Sequence, residues 1–408
     1  MITLSSKTDI IGHAIMKLKY IILVCLWGLF IAGVTFLAMK TTQGRYDFIT
    51  YHHNAERLIA GETLYGSYVN RFDYIYPPLL AQSIAPFTTF LDLDAVSMGW
   101  HILSIAALMM SVGLVNRTVS NTKQRFMFWL MPLIFIPNYQ SMWVGQISMI
   151  MLVCFTGAWF AYKQDRPLIT GGLLALATWL KVYPVFLILY FMWRRDWKVV
   201  ASAFVTGIAL LTLQVLLSDI PTITTYFLEV LPGLANNGQM PGLFKNSSIL
   251  GFTFKMFTET SDIIPLIDSR PLASISRWIL TAIIVGGSAF FISRPQKQKN
   301  EHTNEARFDL EYGLVVLVSL LFASTLWISG MSPLILCYQL ILKQKLRRQT
   351  RRLVWLSFSI VSFYFLYLLA FQVGNKLHAL ILSMGFYGLF LLWVLLIRQL
   401  RLINRGSM

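Results

Sequence analysis

Apolar stretches recur along the whole chain, and their lengths set the first expectation. Tyr20–Met39 runs without a single charge. A hydrocarbon layer of about 30 Å takes roughly twenty helical residues, so this stretch predicts a crossing. No small-residue cleavage site follows Met39, which reads as a retained signal anchor. Further crossings are expected at Asp94–Val115, Phe126–Pro137, Gln146–Tyr162, Pro167–Leu180, Pro184–Trp193 and Val199–Leu217. The remainder are Leu272–Ile292, Leu310–Ile328, Ser332–Leu342, Leu353–Val373 and Leu377–Ile397. Phe126–Pro137, Pro184–Trp193 and Ser332–Leu342 are too short for straight spans, and each is bounded or interrupted by Pro. Broken or re-entrant helices survive in lipid only where protein or a water-filled cavity satisfies the freed backbone groups. The pattern predicts an all-α polytopic membrane protein, one membrane-embedded domain over residues 1–408 with an internal cavity. It implies about 10–12 transmembrane helices.

Composition agrees: 56% of residues are hydrophobic and 13% charged, against about 25% charged in soluble proteins. The net charge of +16 would suggest nucleic acid if it were spread evenly. With both termini in the cytoplasm, however, Lys and Arg concentrate in the cytoplasmic segments, most densely in the basic loop Lys343–Arg352. This is the positive-inside distribution. It reports orientation in a bacterial inner membrane and contact with the lipid bilayer, and no nucleic-acid partner is expected. Cys25, Cys154 and Cys337 sit in apolar runs without paired spacing and read as core residues. Most tryptophans lie near span ends, as an interfacial belt would place them.

The longest polar stretches, Lys40–Leu93 and Ser218–Pro271, become the first and fourth extracytoplasmic loops. In the first, Phe48, Tyr51, Ala55, Leu58 and Ile59 recur at helical spacing before Gly61, leaving His52, Glu56 and Arg57 on another face. That predicts a helix lying in the membrane interface. The apolar run Leu79–Leu91, broken by Pro86, reads as a second interfacial or re-entrant element.

Asp47 opens the first of these helices. It reads either as an N-cap or as a general base at the membrane surface, and Tyr51 shares its face one turn on. Lys181, at the outer end of its helix, is either a snorkelling lysine or a functional cation at membrane depth. Gln146 and Asn246 suit sugar hydroxyls or helix caps. His52 is a hydrogen-bonding residue for an acceptor or a solvated interface residue. Asp92 and Asp94 precede a span as either helix starters or an acidic pair for a cation. His52-His53 beside Glu56 supplies two ligands on one face at most, which is too few for a metal site.

Tyr46-Asp47-Phe48, Tyr51, Ala55, Gly61, Tyr65, Tyr74, Tyr76-Pro77-Pro78 and Ala85-Pro86 resemble the amino-terminal signature of glycosyltransferase family 87. Gly145-Gln146-Ile147, Lys181-Val182-Tyr183-Pro184, Arg194-Arg195 and Asn246-Ser247-Ser248 follow in the family's order. The resemblance implies a GT-C fold and an inverting transfer from a polyprenyl-phosphate sugar donor, mannose in this family, to a hydroxyl of a glycolipid or glycan acceptor. It makes Asp47 the catalytic residue and Tyr51, His52, Tyr76, Gln146, Lys181 and Asn246 the substrate-binding set. No cofactor or metal is implied. One part departs: the family shows Trp and His soon after a Ser-Pro, whereas Ser332-Pro333 leads into Leu334–Leu336, Cys337, Tyr338 and Gln339. A transporter or flippase of lipid-linked sugars would share the broken spans, although its halves usually repeat. A membrane O-acyltransferase would want a supported intramembrane histidine, and neither His101 nor His378 has one in the sequence.

Overall fold

The computed structural model describes residues 4–41, 44–65, 74–236, 243–260, 262–292, 301–363 and 377–404. The first half forms α1 (Leu4–Lys40), α2 (Tyr46–Ile59), α3 (Pro78–Thr88), α4 (Leu93–Arg117), α5 (Thr122–Ile134), α6 (Ile136–Val144), α7 (Ser148–Lys163), α8 (Pro167–Leu180), α9 (Val185–Trp193) and α10 (Trp197–Leu217). The second half forms α11 (Ile220–Thr225), α12 (Leu231–Asn236), α13 (Ile249–Phe257), α14 (Arg270–Thr281), α15 (Gly287–Phe291), α16 (Glu301–Phe322), α17 (Leu334–Leu342), α18 (Arg348–Phe363), α19 (Leu377–Leu382) and α20 (Met384–Asn404). The π-helical turns Tyr226–Val230 and Ala282–Gly286 splice α11 to α12 and α14 to α15. Among the described residues there is no sheet, only an isolated bridge between Thr260 and Ile263.

Five helices among the described residues are long and apolar enough to cross a membrane: Lys17–Lys40 of α1, α4, α10, Arg270–Phe291 and α20. The protein is therefore an all-α polytopic membrane protein. The predicted crossing Leu353–Val373 matches α18 up to Phe363; its last ten positions lie outside the described residues, as do Asn375 and Lys376.

The short predicted spans are broken helices. Phe126–Pro137 divides into α5 and α6 at Phe135, which is extended. The carbonyls freed there are taken up locally: Asn138 Nδ2 donates to Pro132 O at 3.0 Å, and the Tyr139 hydroxyl to Leu133 O at 2.6 Å. α9 and α17 are nine residues each, which gives roughly 14 Å of helix and reaches only halfway across the hydrocarbon. The last predicted span divides at Ser383, where Lys255 Nζ donates to the Leu382 carbonyl at 2.6 Å. These breaks obey the rule that irregular backbone at membrane depth must be satisfied by protein.

α16 and α17 form the centre of the bundle. Leu310, Tyr312, Leu314, Val316 and Leu320 are wholly buried, as is nearly all of α17. By contrast α10, α14 and the π-helical turn after it expose Phe204, Leu216, Trp278 and Ile283, the surface that lipid would cover. α2 differs from the sequence expectation. It is wedged against α3 and α4, with Asp47, Phe48, Thr50, Tyr51, His52, Asn54 and Ala55 buried, so its polar flank is covered by protein. Packing on two sides hides a wider arc than the apolar stripe alone marks.

At the end of the bundle opposite α2, buried charges join α7, α9, α16 and α17. Glu311, fully buried, accepts from Arg194 at 2.9 Å, Arg307 at 2.8 Å and the Tyr190 hydroxyl at 3.0 Å. Asp309 holds Lys343 at 2.8 Å, Lys163 at 3.3 Å and Trp159 Nε1 at 2.9 Å. Arg194, one of the residues in the family-like pattern, is thus a structural tie. Breaking a buried ion pair strands the remaining charge and costs about 3–5 kcal/mol. Glu311→Ala is therefore expected to lower the unfolding temperature of the detergent-solubilised protein far more than Glu305→Ala, at a half-exposed carboxylate.

Candidate active site

α2 begins after Arg45, whose left-handed backbone (φ 63°) supplies no side-chain cap. Arg45 is fixed instead by its N–H to Trp143 O at 2.7 Å and by an ion pair with Asp94. Asp47 consequently lies within the first helical turn and not at the cap position expected of it. Its buried carboxylate accepts from Gln146 Nε2 at 2.6 Å.

Gln146 arrives there because of Gly145. That glycine ends α6 at φ 72°, a conformation that L side chains rarely adopt. A Cβ on it would stand 2.6 Å from Phe48 Cβ. The turn is pinned by Trp100 Nε1 to Gly145 O at 2.9 Å. Gln146 Oε1 accepts from the Tyr51 hydroxyl at 2.6 Å, the Tyr76 hydroxyl at 3.1 Å and Ile147 N at 3.0 Å. Tyr76 belongs to a row of rings, with Tyr51 at 5.1 Å and Tyr74 at 5.8 Å, that continues from Tyr74 through Tyr65 to Tyr226.

Lys181 follows α8, its ammonium 5.4 Å from the Tyr76 ring centre and 5.8 Å from that of Tyr183. The cation–π geometry keeps it beside the carboxylate without a direct ion pair. Burial pushes the Asp47 carboxyl up to about 7, against the pull of the Lys181 and Lys245 ammonium groups. Burial likewise brings Lys181 down to about 8, and the charge of Asp47 opposes that shift. Burial also raises the phenols of Tyr51 and Tyr76, so both stay protonated and act as donors.

Tyr76 and Lys181 form one wall of a cavity of about 310 Å³. Its polar lining includes Arg277, Ser324 and Thr325, and its apolar lining Phe186, Leu231, Leu234, Trp278 and Phe322. Among the described residues no carboxylate lines it. Trp278 is also largely exposed on the outer face of α14, so the cavity borders the lipid-facing surface.

Of the residues expected from sequence, Asp47, Tyr51, Tyr76, Gln146 and Lys181 come together. His52 is buried rather than solvated; it stacks near Phe48 and faces Glu56 at 3.6 Å. The Asn246 amide ties two loops, with Nδ2 to Ser324 O at 2.7 Å and Oδ1 accepting from Leu326 N at 2.9 Å and Ser248 N at 3.1 Å. It therefore shapes the cavity wall through residues 324–326 and does not itself line it. Asp92 caps α4 through Ala95 N at 2.8 Å while Asp94 is paired with Arg45, so the two acids have separate tasks. Tyr338 and Gln339 point into the bundle, to Ser357 Oγ at 2.9 Å and Phe128 O at 3.2 Å, and do not line the cavity. Sequence reasoning passed over Lys245 and Arg277. Arg277 carried a signal, being the lone charge within the predicted span Leu272–Ile292.

Fold and site together define a polytopic membrane protein that buries a carboxyl, a lysine and several phenols close together. The sequence profile of glycosyltransferase family 87 matches residues 74–324, more than half of the chain, and the chain belongs to that family. It is thus a membrane glycosyltransferase by family. The matched stretch includes Tyr76, Gln146, Lys181 and Asn246 and starts after Asp47. The chain is also similar to a polyprenol-phosphate-mannose-dependent alpha-(1-2)-phosphatidylinositol mannoside mannosyltransferase of Mycobacterium tuberculosis, with 26% identity over 212 residues. That alignment covers 46% of this chain and 48% of the relative, so the chain spans about half the length of the curated relative it matches. No solved structure matches.

An Asp47 carboxyl with a midpoint near 7 is directly observable. Isotope-edited infrared titration of the purified protein is expected to show a protonated-carboxyl band that fades as pH rises through neutrality. Asp47→Asn should lack this band. Lys181→Met, which removes a cation that favours the ionised form, should move the band's midpoint upward; an unmoved midpoint refutes the coupling.

Proposed function

We propose that this protein transfers a hexosyl group, mannose by the family resemblance, from a polyprenyl-phosphate donor to a hydroxyl of a glycolipid or glycan acceptor. Transfer takes place at the extracytoplasmic face of the bacterial inner membrane, and both termini are cytoplasmic. The segments carrying Asp47, Tyr76, Lys181, Lys245 and Ser324–Thr325 all fall at the end assigned outside by the charge distribution, which supports that side. The observation that carries the reading is the buried Asp47 carboxylate, held by Gln146 beside a cavity lined by Lys181 and Arg277.

The acceptor O–H gives its proton to Asp47 while its oxygen attacks the anomeric carbon. The bond from that carbon to the phosphate oxygen breaks, and the polyprenyl phosphate leaves with the electron pair. A single displacement of this kind inverts the anomeric centre. A base whose midpoint lies near the working pH is well matched to this task, and burial supplies that match here. Lys181 and Arg277 stabilise the phosphate as its charge develops. Leu231, Leu234 and Trp278 take the first isoprene units at the lipid-facing border of the cavity. No metal takes part in this scheme. Asp92 and Asp94, the acids that suggested one, are occupied by a helix cap and by Arg45.

Membranes given radiolabelled polyprenyl-phosphate mannose and an extracted glycolipid pool should form a labelled product. Asp47→Asn is expected to lower kcat by about 10²–10⁴-fold, and retention of parental activity would remove Asp47 as the base. Lys181→Met and Arg277→Gln should each weaken donor use roughly tenfold, the loss of one charge-assisted contact. Equal donor KM values in parent and variants would remove both from the phosphate site. EDTA is expected to leave the rate unchanged.

A further inference from the structure

The hydrogen bonds of Gln146 have a fixed polarity. The Ile147 N–H can only donate, and it meets Oε1 at 3.0 Å. The Tyr51 and Tyr76 phenols, both protonated, meet the same oxygen at 2.6 and 3.1 Å and lie 3.2 Å from each other. With its oxygen committed on that side, the amide must turn Nε2 toward Asp47, where it donates to Oδ2 at 2.6 Å. A flipped amide would set its oxygen against the carboxylate and its NH₂ against a backbone donor, which is unfavourable at both ends. Backbone geometry adds to the constraint, because the left-handed Gly145 and the close approach of Phe48 leave the turn little freedom.

We propose that Gln146 is a positioning residue: oriented by Tyr51 and Tyr76, it grips Oδ2 of Asp47 and leaves Oδ1 to receive the acceptor's proton. This inference rests on the reading of Asp47 as the base. It gives the amide a task other than binding sugar, and it gives the two tyrosines a task other than binding substrate. The arrangement orients a base through a neutral intermediary. Such a donor favours the ionised carboxylate without neutralising it, whereas a lysine in the same place would form an ion pair and weaken the base.

The other charged and titratable groups facing Asp47 are few. Lys181 comes from the α8–α9 turn and Lys245 from the turn before α13. α4 brings Asp94, which is paired with Arg45, and the buried His101. α3 brings no titratable side chain, and α6 only Tyr139, which is bonded to Leu133 O.

The test is the pH profile of kcat/KM for mannosyl transfer in proteoliposomes containing the full chain. The parent should lose activity on the acid side as Asp47 is protonated. Gln146→Leu removes the donor, so the acid limb is expected to move to higher pH by about one unit. Gln146→Glu should move it further, because a second carboxyl sharing the site resists a second negative charge. If both variants lose amplitude while the limb stays in place, Gln146 is structural and the inference falls. Should Gln146→Leu fail to insert, the Tyr51→Phe/Tyr76→Phe double variant reads the same limb. It strips two of the three donors from Oε1 and loosens the amide's hold on Asp47, so an upward shift supports the relay and an unmoved limb overturns it. Transfer by Asp47→Asn at the parental rate would instead sink the assignment of the base itself.

Discussion

A carboxylate withdrawn from water and not fully neutralised is the constraint around which this end of the molecule is arranged. Asp47 is buried, and among the described residues no cation forms an ion pair with it; a neutral amide, that of Gln146, donates to it. Lys181 acts from beside the Tyr76 ring, and Lys245 acts through space. A direct ion pair would favour the charged form too strongly for a base, and no cation at all would leave the group protonated. Keeping the midpoint near neutrality requires an intermediate distance, and the tyrosine rings act as the spacers that set it.

The architecture follows from having to deliver those groups from separate helices. Asp47 comes from α2, Tyr76 from the entry to α3, Gln146 from the α6–α7 turn, Lys181 from the α8–α9 turn and Arg277 from α14. All but Arg277, which lies within its helix, sit at or near a helix end, where the chain is free to leave helical geometry. In lipid that freedom is costly unless protein satisfies the freed carbonyls. Asn138, Tyr139 and Lys255 do this at the breaks among the described residues. At the other end of the bundle the problem is reversed. There Asp309 and Glu311 are fully paired, and Arg194, Arg307 and Lys343 lock α9, α16 and α17 together. One set of buried acids provides rigidity because its charges are matched; the proposed role of Asp47 as a base rests on its charge not being matched.

Much of the fold was legible in the linear pattern. Charge-free runs located α1, α4, α10 and α20, and the Pro-bounded short runs located the broken helices near Phe135 and the short α9 and α17. The first block of the site was legible too, since Asp47 and Tyr51 stand one helical turn apart and Tyr76 follows in a Tyr-Pro-Pro run. The pattern of α2 misled over His52. Helical spacing reports which residues are apolar, and it cannot show that a second helix will cover the polar flank. Asn246 misled for a related reason. A buried amide is equally suited to a sugar and to a loop backbone, and only the proximity of residues 324–326, some eighty positions away, decides between them.

By itself the sequence determined that the chain lives in a membrane and which segments must break, and its charge asymmetry gave the expected orientation. Hydrophobic length and the asymmetry of Lys and Arg act locally along the chain, so they can be read without coordinates. Tertiary structure alone decided that Gln146 meets Asp47, that Lys181 stands off from it, and that Arg277 shares a cavity with Lys181. Those relations join residues roughly ninety-five to a hundred and thirty-five positions apart. Partners so distant are chosen by packing at helix ends, and no period or spacing in the chain encodes that choice.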